Sequence, residues 1–180
     1  MTDLSRTTRT TKPSHMLKFE RTVFNGADWR IETQDWLVLQ LTEGIAYAFD
    51  RNGNKELPWG GVFVCPPNFE LTITASVLGR AVFRGMTLCV SSLVGFLTAL
   101  ERQCLETEVA RHFSPFAVVP PDHSLAKRVA QLSARDQSPA MVARLAFAHA
   151  FAEFVGPQLS EAIARRKASK APACRRMFRA

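Results

Sequence analysis

Six short apolar or alternating runs punctuate the first half of the chain, at residues 17–24, 36–41, 45–49, 61–65, 70–75 and 81–88. Turn-forming residues separate them: Asn25-Gly26, Glu43-Gly44, Asn52-Gly53-Asn54, Pro66-Pro67-Asn68 and Leu78-Gly79. Runs of this length, rich in β-branched and aromatic residues, predict strands. Asn-Gly supplies the positive φ angles of a tight hairpin, so a turn is predicted at Asn52-Gly53. Six strands so spaced predict a sandwich or barrel.

Beyond Leu88 the apolar period changes from two to nearly four. Leu93, Leu97, Leu100 and Cys104 fall on one helical face, with Ser91 or Ser92 available as N-cap. A proline-marked link at 114–121 follows. Asp122 or Ser124 then caps a second helix carrying Leu125, Val129 and Leu132 on one face. Ser138-Pro139 predicts the start of a third, because proline at the first helical position loses no hydrogen bond. That helix, at 140–155, is apolar on most faces and interrupted only by Arg144, His149 and Glu153. A helix resting on one core needs one apolar stripe, so this one is expected to be covered on two sides. The second cover is either another copy of the chain or neighbouring helices of the same chain. The first alternative makes Leu145, His149 and Phe151 candidate dimer-interface residues. Gly156-Pro157 is expected to break the helix, which resumes at 158–167.

A chain of 180 residues, 47% of them hydrophobic, is long enough for one core with a helical appendage. It has neither a bilayer-length apolar run nor a secretory signal, and a cytoplasmic setting is expected. The formal charge of +7 sits at the ends. Residues 1–21 carry a net of +3 and residues 156–180 a net of +6, whereas the stretch between carries −2. Basic ends suit either solvated tails or phosphate contacts. Residues 1–16 are polar and aperiodic, as expected of a disordered leader. The resulting division is leader 1–16, barrel 17–88, helical dimerisation region 89–167 and a basic tail or linker stub at 168–180.

Candidate chemistry is sparse. His15, His112, His123 and His149 share no metal-binding spacing, and Cys65, Cys89, Cys104 and Cys174 form no Cys-x-x-Cys pair, so no metal and no cofactor are expected. No nucleophile elbow or phosphate loop is present, and no carboxylate pair stands out, so no catalytic residue is assigned. A small barrel can instead enclose one ligand. Trp36, Tyr47, Phe63, Phe69 and Phe83 lie on predicted strands or their ends and, with Glu70, are the candidate ligand-binding residues. The same aromatics could equally fill the interior as core.

Thr42-Glu43-Gly44, then Leu57-Pro58-Trp59-Gly60-Gly61-Val62-Phe63-Val64-Cys65-Pro66-Pro67, then an amphipathic helical tail, resembles the N-terminal cupin-type domain of AraC-type transcription regulators. The likeness extends over about residues 18–165. It implies an α+β fold, a cupin-like (jelly-roll type) β-barrel followed by a C-terminal helical appendage. It further implies a non-enzymatic domain that binds a small-molecule effector and homodimerises, touching DNA only through helix-turn-helix units outside this chain and no membrane. Cupin histidine positions are occupied here by Glu32-Thr33-Gln34 and Asn68-Phe69-Glu70-Leu71, so the metal ligands of cupins have no counterpart. The alternative is a small cupin enzyme, an isomerase or dioxygenase with an atypical metal site.

Overall fold

In the computed structural model of the chain, residues 16–50, 53–93, 95–113, 116–134 and 140–170 are described. The expected leader (save Met16), the Ser138-Pro139 helix start, His15, Cys174 and the stub beyond Lys170 lie outside them. Among the described residues nine strands form two antiparallel sheets. The first contains β1 (Met16–Val23), β8 (Ala81–Leu88), β3 (Trp36–Glu43), β6 (Val62–Cys65) and β9 (Ala117–Val119), in that spatial order. The second contains β2 (Asp28–Thr33), β7 (Phe69–Ala75), β4 (Ala46–Asp50) and β5 (Gly53–Glu56).

Each predicted strand is present, and three more join them. β2 reads Asp-Trp-Arg-Ile-Glu-Thr and pairs Asp28 with Thr74 through to Thr33 with Phe69. β5 is wholly exposed and held by β4, with Asp50 opposite Gly53. β9 arises within the link expected at 114–121 and adds three residues to the free edge of β6.

Strand β3 is buried over its first six residues, Trp36 to Leu41, because its sheet lies between two cores. Leu37, Leu39 and Leu41 point between the sheets with Phe63, Leu71, Ile73 and Phe83. Trp36 and Val38 point the other way, into a core shared with the helices. The period of two in a strand thus feeds two apolar compartments. Gln40, the buried polar residue of the described chain, donates its amide to the carbonyls of Gly60 (3.0 Å) and Ala126 (3.5 Å). It joins the sheet to a helix without leaving a donor unpaired.

The helical part begins with a short 3-10 turn at Val90–Leu93 and the helix α1 at Ala99–Cys104. The cap is Thr98, not Ser91 or Ser92. Glu101 N–H donates to Thr98 Oγ1 (3.3 Å) and Thr98 N–H donates to Glu101 Oε2 (2.6 Å), which holds the Glu101 carboxyl below its usual range. A π-helical stretch at Leu105–Val109 runs on into α2 (Ala110–His112). Helix α3 (Ser124–Ala134) is capped by His123, whose Nδ1 accepts from Leu125 N–H at 3.1 Å. Its proton therefore sits on Nε2.

Helix α4 (Ala140–Lys170) passes straight through Gly156-Pro157. Phe147, Phe151, Val155, Leu159 and Ala162 form one buried stripe that extends on both sides of the proline. Burying such side chains at ~1.5–3 kcal/mol each outweighs the ~3 kcal/mol cost of an internal proline. The cover over α4 comes from the chain itself: the same core holds Leu105 and Val109 of the π stretch, Leu125 and Val129 of α3, and Trp36 of β3.

Candidate functional site

The core between the sheets is built from side chains alternating along seven strands, β1 to β4 and β6 to β8. Ala46 and Ala48 face it from β4, Leu71, Ile73 and Ala75 from β7, and Ala81 and Phe83 from β8. The buried side chains here are hydrocarbon or thiol. Burial pushes the Cys65 thiol up to about 12, since a thiolate would lose its water without gaining a partner.

Aromatic residues close both flanks. On the β1–β2 flank Trp29 sits edge-on to Phe19 (6.3 Å between centroids) and tilted against Phe83 (5.6 Å). Gly85, opposite Phe19 on β8, leaves room for that ring, which a Cβ at position 85 would overlap. On the β5–β9 flank Phe63 meets Phe116 at 6.4 Å. The Lys55 ammonium stands 5.8 Å from the centroid of the Phe116 ring. Lys55 is exposed, so the rim of an apolar interior carries a solvated cation.

Of the six expected ligand-binding residues, three meet here. Phe63 and Phe83 are buried inside, and half-buried Phe69 packs on the same core. Trp36 is in the other core, edge-on to Phe113 and Phe151 at 5.5 and 5.3 Å, with its indole N–H lacking a hydrogen-bond partner. Tyr47 and Glu70 alternate with inward-facing neighbours and so lie on the outer face of the second sheet. Glu70 stands directly opposite Glu32 there. Phe19, Trp29, Lys55 and Phe116 belong to the site and were not among the expected residues. Strict alternation in Asp28-Trp29-Arg30-Ile31-Glu32 was the available signal for Trp29. Nothing local marks Lys55 or Phe116.

Of the expected interface residues, Leu145 and His149 are exposed on α4, and His149 Nδ1 lies 3.7 Å from Glu153 Oε2. Phe151 is wholly buried against Trp36 and Phe147, so a charge placed there would disrupt the fold before it reported on any interface. Among the described residues no three His, Cys, Asp or Glu side chains are grouped to hold a metal. No described helix is long and apolar enough to cross a membrane.

Two antiparallel sheets around an apolar interior, with helices packed on the outer face of one, make this an α+β protein, a cupin-like barrel with a C-terminal helical appendage. No protein-family model matches the chain, and no curated protein matches it in sequence. Its fold is similar to that of ToxT from Vibrio cholerae, with a TM-score of 0.56 at 12% identity over 79% of this chain and 55% of that one. ToxT from strain SCE256 with an unsaturated fatty acid bound gives 0.55 at 11% identity, covering 80% and 54%. A cupin-like protein of Thermotoga maritima gives 0.39 at 21% identity over 43% of this chain and 60% of that one. The chain spans little more than half the length of ToxT.

Proposed function

We propose that this chain is the effector-binding and self-associating half of an AraC-type transcription regulator, acting in the cytoplasm without enzymatic activity. Its effector is a mostly apolar carboxylic acid. The observation that carries the proposal is the interior of the barrel, where hydrocarbon walls meet a rim cation, Lys55 over Phe116. An apolar body gains from burial between the sheets, and an anionic head is held in water beside the ammonium. The fatty acid bound to ToxT, on the same fold, is a ligand of that chemistry. Hydrocarbon walls offer no group for acid–base or metal chemistry, which favours binding over catalysis.

Coupling runs through Phe116. It lines the interior directly before β9, and β9 leads through Pro120 and Pro121 to His123, which caps α3 and lies edge-on to Phe154 of α4 at 5.8 Å. An effector that prefers one position of Phe116 shifts the population of helix arrangements, and with it any DNA-reading unit attached to them. DNA contact itself is assigned to such a unit and not to the barrel.

Oleate titrated into the purified chain tests the proposal. Saturable stabilisation in a thermal melt is expected, weakened at least about tenfold by Lys55→Glu. The same melting temperature with and without oleate, at concentrations up to the micelle limit, would overturn it.

A further inference from the structure

Strand direction brings five apolar side chains to one end of the barrel. β1 finishes at Val23, β3 at Glu43 and β7 at Ala75, while β2, β4, β6 and β8 start at that same end. The connecting loops carry Phe24, Ile45, Trp59, Val77 and Leu78, between 44% and 87% exposed. Contacts tie these loops to one another. Trp59 Nε1 donates to Thr42 O (3.1 Å), Ser76 N–H donates to Ile45 O (2.9 Å), and Gly26 lies against the Val77 side chain.

Turn tips are ordinarily polar, so large aliphatic residues at two successive tip positions need a reason. The tip is also well fixed. Leu78 N–H donates to Ser76 Oγ (3.2 Å) and Gly79 N–H donates to Ser76 O (3.3 Å), so Val77 and Leu78 are displayed on an ordered turn. Docking on such a turn loses little conformational entropy.

Resting on the self-association proposed above, we infer that this end of the barrel is the surface that mediates it, occupied by the same end of a second copy of the chain. Area and charge both favour that occupant. The five side chains offer roughly 600 Å² of exposed apolar surface, so two copies meeting end to end would remove roughly 1,200 Å² from water, the lower bound for a specific interface. The charges in the midst of the patch are Glu43 and Arg80, with Arg80 Nε and Nη2 donating to the two Glu43 carboxylate oxygens at 3.0 and 3.1 Å. Being neutral together, they do not repel their own copy. A strongly anionic lipid or polyelectrolyte would find no surplus of positive charge there. The outward face of α4 offers less: Val142 and Leu145, 56% and 43% exposed, beside the polar His149 and Glu153.

Sedimentation velocity of the full chain over a micromolar concentration series tests the inference. A dimer is expected, weakened at least about tenfold by Val77→Asp with Leu78→Asp and unchanged by Leu145→Asp. Trp59→Ser and Phe24→Asp repeat the test from other loops should the first pair fail to fold. Unchanged melting temperature and unchanged oleate response in the loop variants separate lost association from lost folding or effector binding. A wild-type chain that stays monomeric, one that co-floats with phosphatidylcholine vesicles instead of dimerising, or a dimer broken only by Leu145→Asp would each overturn it.

Discussion

Cys65 makes the burial of the barrel interior measurable by pH. Its thiol is 1% exposed between the sheets, and burial raises its pKa from 9.0 to about 12. The unfolded chain therefore releases this proton before the folded chain does. The thiol's contribution to stability is fully present below pH 9 and is lost as pH rises through 12. A difference of about three pH units corresponds to ~4 kcal/mol at the high-pH limit and to ~1.4 kcal/mol at about pH 10. Urea unfolding of wild type and Cys65→Ala, under reducing conditions at about pH 7 and about pH 10, isolates it. All other groups are common to both proteins and cancel, as does the pH-independent cavity cost of the substitution. The wild type should lose ~1.4 kcal/mol relative to Cys65→Ala between the two conditions. An identical stability difference at both pH values would mean that the thiolate is accommodated in the folded state, and a water-free interior at Cys65 would be wrong.

Three further outcomes probe the same architecture. Gly85→Ala should destabilise the fold by ~1–3 kcal/mol, because the new methyl group overlaps the Phe19 ring, and Phe19→Ala in the same chain should recover part of that loss in a double-mutant cycle. Trp36→Phe should cost less than ~1.5 kcal/mol in chemical denaturation while Trp36→Ala costs ~3–5, since phenylalanine keeps most of the packing and removes an N–H that has no acceptor. Glu70→Lys should stabilise by ~0.2–1 kcal/mol, more at low ionic strength, by replacing a like-charge pair across β2 and β7 with an opposite one.

The strands that bury alternate residues were legible, and so was the helical character of the chain beyond Leu88. What the sequence could not disclose was which side of a strand meets which partner. The run from Trp36 to Leu41 is apolar throughout save Gln40, so its pattern is silent on the fact that Trp36 serves the helices while Leu37 serves the barrel. β5 is legible only through β4, since Gly53-Asn54-Lys55-Glu56 has neither apolar content nor period. The start of α1 was readable: Thr98-x-x-Glu101 is a capping-box signature, but the leucine period extends ahead of it and draws the boundary toward Ser91. At Pro157 tertiary burial overrides a strong local signal. Candidate aromatics chosen by type divided according to parity along their strands, and Lys55 reached the site through a pairing that no single segment encodes.

The three residues of β9 have a consequence for the solubility of shortened chains. β6 reads Val62-Phe63-Val64-Cys65, and without β9 its outer backbone groups would form an open ladder edge in an uncharged, strongly β-prone segment. β9 closes that edge, and Pro120-Pro121, lacking N–H groups, come at once after it and offer nothing for a further strand to extend. The appendage thus doubles as a guard against cross-β pairing. A chain cut ahead of Ala117 would keep eight of its strands and yet be expected to aggregate through β6.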